Sequence, residues 1–85
     1  MEEIRLQAES SLTDLEIRIL DFERQWWRHA GTKDAAIQSE FQLSAREYFQ
    51  LLNDLIDRED ALAAAPLLVK RLRRLREARV AARTK

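Results

Sequence analysis

Three polar side chains recur at helical spacing in the segment FQLSAREYFQLLNDLI, residues 41–56. They are Arg46, Gln50 and Asn53, and intervals of four and three residues place them on one face of a helix. Arg, Gln and Asn carry the donors and acceptors that match guanine and adenine edges in the major groove of DNA. Phe49 borders this face and is suited to contact a thymine methyl group. The pattern predicts base contacts from these four residues; the alternative is a solvated polar face, with Phe49 packed on a neighbouring helix.

The C-terminal segment, residues 66–85, concentrates positive charge. It carries eight Lys and Arg side chains and one acidic residue, Glu77, whereas residues 1–65 carry seven basic and fourteen acidic side chains. Clustered cations neutralise phosphates and give a salt-dependent affinity with little sequence preference. The alternatives are a solvated helix face and pairing with the acidic part of the same or another molecule. The charges predict phosphate contacts from Lys33, Lys70, Arg71, Arg73, Arg74, Arg76 and Arg79.

Local sequence signals predict the helices that position these side chains. Thr13 with Glu16 and Ser44 with Glu47 each form a capping box, the pattern of a helix N-terminus. The first helix should run from residue 14 to residue 30 and end at Gly31, because glycine favours a left-handed turn. Its inward stripe is expected to consist of Leu15, Ile19, Phe22, Trp26 and Ala30.

A short helix over residues 33–41 and the helix that follows Ser44 are separated by a turn of about three residues. Two helices joined by a tight turn are the elements of a helix-turn-helix, here residues 32–56. Gln42 stands where this turn usually has glycine, so a non-glycine residue must adopt the turn. The first helix is expected to cross both and to complete a tri-helical bundle. The apolar residues of the unit are Ile37, Phe41, Leu43, Tyr48 and Leu51.

The last predicted helix starts at Pro66, which suits a first helical turn, and ends near residue 82. Its narrow apolar seam consists of Leu68, Leu72 and Leu75. Asp57 is expected to cap a further short helix before it. The sequence thus predicts an all-α fold of four to five helices. It divides into a flexible tail (residues 1–11), a helix-turn-helix-type core (12–65) and a basic C-terminal helix (66–85).

Composition excludes several classes of site. The chain has no cysteine for a disulfide or a thiolate zinc site, and its single histidine, His29, lacks a partner for general base catalysis. The carboxylates of Asp57, Glu59 and Asp60 lack the glycine and the ligand rhythm of a calcium loop. No apolar run approaches the roughly 18 residues that span a bilayer, and the acidic N-terminus is unlike a secretory signal. We expect a cytoplasmic protein with no enzymatic activity, cofactor, metal, membrane contact or small-molecule substrate.

Two interpretations of function follow. In the first, the protein binds double-stranded DNA at the nucleoid, as a small transcriptional regulator or a nucleoid-associated protein. In the second, it is a protein-interaction module with no nucleic-acid role, which docks a partner through the Leu68–Leu72–Leu75 seam or through Trp27. The same seam would serve a homodimer. The first is favoured because an ordinary solvated helix mixes charges of both signs, whereas residues 66–85 contain one acid, Glu77.

Several short motifs are shared with a known family. They are the Leu-Thr-x-x-Glu opening, the Trp26–Trp27 pair before Gly31, the Leu43–Ser44 turn, the Leu52–Asn53 pair and the Arg-rich end. In these features the chain resembles, over about residues 12–79, a family of small actinobacterial proteins of unassigned function. That family often has glycine in the turn and a Tyr-Tyr pair, where this chain has Gln42 and Tyr48–Phe49. The resemblance implies an actinobacterial cytoplasmic protein with a helix-turn-helix-like core, and it implies no activity.

Overall fold

The computed structural model describes residues 12–28 and 30–83, apart from the side chain of Trp27. The predicted tail of residues 1–11, the role expected of His29 and the docking role of Trp27 lie outside the described residues. Within them no strand occurs, and the predicted all-α fold is confirmed. The five α-helices are α1 (Asp14–Gln25), α2 (Lys33–Phe41), α3 (Ala45–Ile56), α4 (Glu59–Ala64) and α5 (Pro66–Arg83), and a 3-10 turn, Trp26–Arg28, extends α1.

Both predicted capping boxes form. The Thr13 hydroxyl accepts a hydrogen bond from the backbone N–H of Glu16 at 3.1 Å, and the Glu16 carboxylate accepts one from the Thr13 N–H at 2.9 Å. Ser44 and Glu47 make the same reciprocal pair at 3.1 and 3.0 Å. Hydrogen bonds from the backbone and the side chain of Ser44 lower the pKa of Glu47, so its carboxylate stays charged. The starts of α1 and α3 are therefore fixed locally, as the sequence predicted.

The turn between α2 and α3 is left-handed at Gln42, whose φ is 57°. This confirms that a non-glycine residue adopts the turn, at a cost of roughly 1–2 kcal/mol relative to glycine. The Gln42 N–H donates to the carbonyl of Gln38 at 2.9 Å, and its side chain donates to the carbonyl of Ser39, also at 2.9 Å. These two bonds close the C-terminus of α2 and offset part of that cost.

One apolar core joins all five helices. The rings of Phe22, Phe41 and Tyr48 meet at centre-to-centre distances of 5.4 to 5.7 Å, which brings α1 against both helices of the helix-turn-helix. Helix α5 covers the bundle, so the core continues past residue 65. The buried apolar residues are Ile19, Leu20, Phe22, Ala36, Ile37, Phe41, Tyr48, Leu52, Leu55, Ile56, Ala61, Ala65, Leu68, Val69 and Leu72.

Several local predictions are corrected. The α-helical part of α1 ends at Gln25 rather than at residue 30, and Trp26 packs half-buried against the core. Leu15, Ala30, Leu51 and Leu75, expected to face inward, are exposed. For Leu75 the reason is position, because burial along α5 ends at Leu72. The helix continues for about three further turns as an overhang, residues 73–83, whose later residues have no core beneath them.

The short helix α4 begins differently from the prediction. Asp57 ends α3 instead of capping α4, and Arg58 occupies the cap position without a side-chain cap bond. The Arg58 guanidinium bonds Asp60 at 2.7 Å and Glu16 at 2.7 Å. Arg58 therefore ties the start of α4 to the first turn of α1.

Candidate nucleic-acid interface

Arg46, Gln50 and Asn53 lie together on the exposed face of α3, as their spacing predicted. We call these three residues the α3 flank. The opposite face of the helix buries Tyr48 and Leu52, so the flank is directed away from the core. Within the described part of the chain no hydrogen bond or ion pair occupies the three side chains. Their donors and acceptors are therefore free for an external partner.

Phe49 does not belong to the α3 flank. Its ring is half-buried and stands edge-on to Tyr48 at a centre-to-centre distance of 5.3 Å. The Lys33 ammonium lies 5.2 Å from the centre of the Phe49 ring. The packing alternative given for Phe49 is therefore correct, and its predicted contact with a base is withdrawn.

Lys33 is also engaged inside the molecule. Its ammonium is 3.0 Å from both carboxylate oxygens of Glu23 and 5.2 Å from the centre of the Trp26 ring. Glu23 itself is 3% exposed and accepts a 2.5 Å hydrogen bond from the Tyr48 hydroxyl. We call Glu23, Lys33 and Tyr48 the buried triad. Lys33 is therefore an internal partner of a buried carboxylate, and its predicted phosphate contact is withdrawn.

The buried triad was not predicted from the sequence, although a signal exists for it. Glu23 lies four residues after Ile19 and three before Trp26, which puts a carboxylate on the inward stripe of α1. An acid there needs a partner, since an unpaired buried charge is costly. Its partners come from α2 and α3, so the triad links the first three helices through one carboxylate.

Tyr48 gives a pH-dependent prediction. Burial first, and then the hydrogen bond to Glu23, raise the pKa of Tyr48 far above its ordinary value. A raised pKa means that the folded state holds the proton more tightly than the unfolded state. The contribution to stability is complete below pH ~10 and falls above it, by up to about 1.4 kcal/mol per pH unit. Because Tyr48 is the sole tyrosine, tyrosinate absorbance in an alkaline titration should appear together with the loss of helical circular dichroism. Tyrosinate absorbance that rises near pH 10, in a chain that is still fully helical, would contradict the buried triad.

Two arginines of α5 attach this helix to the end of α3. Arg73 Nε donates to the Ile56 carbonyl at 2.6 Å. Arg76 bonds the Asp57 carboxylate at 2.7 Å, and this hydrogen bond lowers the pKa of Asp57. Arg73 and Arg76 therefore have internal partners and are withdrawn from the predicted phosphate contacts. Their guanidinium groups instead hold the first turn of the overhang against the C-terminal end of α3.

The other basic residues of α5 form two patches. The overhang patch is Arg79 and Arg83, which line one surface depression with Asn53 and Arg76. The outer patch is Lys70, Arg71 and Arg74, which line another with Leu67 and with Arg24 of α1. At 100° per residue the centres of the two patches lie roughly 155° apart around the helix axis. Within the described residues no ion pair occupies any of these five side chains. The predicted phosphate contacts therefore divide between two opposite faces.

Other kinds of site find no support within residues 12–28 and 30–83. No group of three or more His, Cys, Asp or Glu residues is placed there to hold a metal ion. None of the helices in the same ranges combines the length and apolarity needed to cross a membrane.

Comparison with known proteins gives one match. The model of a family described as "Protein of unknown function (DUF3263)" matches residues 11–84. No curated protein and no solved structure matches the chain. The match covers α1 to α5 completely, and it agrees with the resemblance to a family of unassigned function that the motifs indicated.

Proposed function

The chain belongs to the DUF3263 family of proteins of unknown function, and because this family supplies no activity we propose a function from the surface of the molecule: it binds double-stranded DNA. The α3 flank meets base edges in the major groove, and the overhang patch meets phosphates beside it. Arg46, Gln50 and Asn53 are the residues that read bases. Arg79 and Arg83 are the residues that neutralise phosphates.

The observation that carries the proposal is the continuity of these two surfaces. Asn53 of the α3 flank lines the same depression as Arg79 and Arg83 of the overhang patch. A recognition helix contacts bases while neighbouring cations hold the phosphates that set its register. Here α5 supplies those cations from a position fixed on the C-terminus of α3 by Arg73 and Arg76.

The charge balance around the flank also supports the proposal. Four cations of the bundle are paired internally, in Arg18–Glu40, Arg24–Asp21, Lys33–Glu23 and Arg58–Glu16. The overhang patch has no such pair within the described residues. Its positive charge is therefore not cancelled by an ion pair within residues 12–28 and 30–83, and it is available to a polyanion.

Carboxylates near a groove-binding helix would oppose phosphates, so their placement matters. Of the three on or beside α3, Glu47 is held by the Ser44 N–H at 3.0 Å and Asp57 is paired with Arg76 at 2.7 Å. Asp54 is exposed and lines one surface depression with Gln50 and Asn53 of the flank. Of the three, Asp57 has a cation as its partner, which reduces the repulsion of a duplex, whereas Glu47 and Asp54 keep their charge and oppose binding.

The biological setting extends the proposal. A protein that binds DNA in this way acts in the cytoplasm at the nucleoid, either as a small transcriptional regulator or as a nucleoid-associated protein. We also propose the actinobacterial origin that the shared motifs imply. A survey of the genomes that encode the family tests this origin. No enzymatic step is proposed.

A salt titration of duplex binding tests the proposal. Binding of the full chain to a labelled duplex of mixed sequence should weaken linearly on a log–log plot of affinity against salt. With two to four phosphate contacts the slope is about −2 to −4. Fluorescence anisotropy at several salt concentrations measures it. Absence of binding at low salt would end the proposal.

A truncation makes the same experiment more specific. Removing residues 70–85 would delete buried Leu72 and the bond from Arg73 to Ile56, and would damage the fold. Removing residues 78–85 keeps both and deletes the overhang patch. The shorter chain should retain its helical circular dichroism over residues 14–77 and lose most of its duplex affinity. Full affinity in this truncated chain would exclude the overhang patch from the interface.

A protein-interaction module is the second candidate, and one observation favours it. Leu67 is 84% exposed on the outer side of α5. The Leu68–Leu72–Leu75 seam is not available for docking, however, since Leu68 and Leu72 are buried in the chain's own core. Protein docking replaces DNA binding if no duplex binds at low salt.

A further inference from the structure

The proposed function leaves the outer patch unused. Lys70, Arg71 and Arg74 are exposed, and no ion pair within the described residues occupies them. Arg24 of α1 borders the patch, and within the described residues its ion pair is a long contact of 3.9 Å with Asp21. The sequence around the patch contains no acid between residues 61 and 76. This surface therefore holds three neighbouring positive charges that no ion pair within the described residues neutralises.

The outer patch cannot serve the duplex that lies on the α3 flank. Helix α5 turns its Leu68–Val69–Leu72 side to the bundle, and the overhang patch continues that side beyond the core. The outer patch is on the opposite side of the same helix, roughly 155° away at 100° per residue. It is also displaced by about 14 Å along the axis, at 1.5 Å per residue. A duplex on one patch faces away from the other.

We propose that the outer patch binds the phosphates of a second duplex, so that one molecule bridges two DNA double helices. The inference rests on the proposed function, and it selects a bridging, nucleoid-associated role over that of a simple regulator. Two cationic surfaces on opposite sides of one rigid helix are the minimum that a monomer needs to hold two duplexes. Helix α5 has 18 residues and is fixed to α1, α3 and α4 along its first half.

The chemistry of the outer patch favours DNA over a membrane. A helix that lies on a bilayer needs a broad apolar face to insert beside its basic residues. In α5 the apolar residues Leu68, Val69 and Leu72 are already buried in the bundle. Of the two leucines that line the depression of the outer patch, Leu67 is exposed and Leu68 is buried. Charge without an apolar stripe is the requirement of phosphate binding.

A two-duplex capture experiment tests the inference. One duplex is immobilised, the full-length protein is added, and retention of a second, fluorescent duplex is measured. We expect capture by the natural chain and a loss of roughly tenfold or more in the K70Q/R71Q/R74Q variant, because three phosphate contacts are removed. Anisotropy with a single duplex in solution should change by no more than about threefold, since the α3 flank and the overhang patch are untouched. The charge-preserving variant K70R/R71K/R74K is the matched control and should capture normally.

The outcomes separate the two proposals. If the natural chain binds no single duplex, the proposed function itself fails. If it binds one duplex and captures no second one, the bridging inference is overturned while the proposed function stands; anionic vesicles retained through the outer patch would then identify a membrane surface as its partner. Capture that survives in K70Q/R71Q/R74Q also overturns the inference, because bridging would then come from association between copies of the chain.

Discussion

Replacing Arg79 and Arg83 with glutamine should weaken duplex binding by roughly tenfold to a hundredfold at about 0.1 M salt. It should also make the slope of log affinity against log salt shallower by about two. Each arginine that contacts a phosphate releases roughly one counterion from the DNA. The entropy gained by that release is lost when glutamine replaces the arginine. The loss should be nearly the same for every duplex sequence, since phosphates carry no sequence information. Anisotropy titrations with two unrelated duplexes at several salt concentrations give both numbers.

Two variants serve as controls for this result. R79K/R83K keeps both charges and should retain the salt slope. R46A/N53A removes two side chains of the α3 flank and should reduce the preference between duplex sequences, by about 1–3 kcal/mol for each base that is no longer read. A uniform loss in R46A/N53A with an unchanged sequence preference would remove α3 from the role of reading bases. An R79Q/R83Q variant that binds like the natural chain would remove the overhang patch from the interface.

The parts of the fold that the sequence predicted are those governed by local contacts. The capping boxes at Thr13 and Ser44 involve residues three apart, and both form. A turn at Gln42 was likewise implied by its position, where a helix-turn-helix usually has glycine, and the structure shows it to be left-handed. These elements depend on few neighbours, so pattern and stereochemistry were sufficient to predict them.

The parts that were missed depend on which helices pack together. Lys33 and Phe49 read as surface residues because a helical wheel shows only one helix at a time. In the structure Lys33 belongs to the buried triad and Phe49 packs on Tyr48, while Glu23 precedes Lys33 by 10 residues and Tyr48 by 25. Arg73 and Arg76 looked like the other cations of α5, yet they bond residues 17 and 19 positions earlier. The helical periodicity of a sequence shows on which face of its helix a residue lies. It does not show which residue of another helix packs against that face.

The buried triad connects this packing to the proposed interface. Tyr48 is on the buried side of α3, directly opposite the α3 flank. Its hydroxyl is held by Glu23 of α1, and Glu23 is held by Lys33 of α2. Polar contacts with fixed geometry resist rotation of α3 about its axis more strongly than apolar contacts do. The triad therefore helps to set the direction in which Arg46, Gln50 and Asn53 point.

Replacing Lys33 with methionine should destabilise the protein by about 2 kcal/mol and lower its melting temperature by roughly 8–16 °C. Methionine keeps a side chain of similar length and leaves the Glu23 carboxylate, 2% exposed as a side chain, without its cation. The full cost of breaking a buried pair is about 3–5 kcal/mol, and it is reduced here because the Lys33 side chain is 22% exposed. Adding Glu23→Gln should recover about 1 kcal/mol, since a neutral amide needs no cation. Urea unfolding followed by circular dichroism measures all three chains.

Arg18→Met is the matched control for this prediction. Arg18 also lies over an aromatic ring, 5.0 Å from the centre of Phe41, and also pairs with a glutamate. Its partner Glu40 is 45% exposed, however, so water replaces the missing cation and the expected cost is below about 1 kcal/mol. Both variants lose a cation that lies over an aromatic ring. The difference between their losses of unfolding free energy therefore measures the effect of burying the partner glutamate. If Lys33→Met costs no more than Arg18→Met, or if Glu23→Gln lowers the stability of the Lys33→Met chain further, the buried carboxylate does not control the packing of α1, α2 and α3.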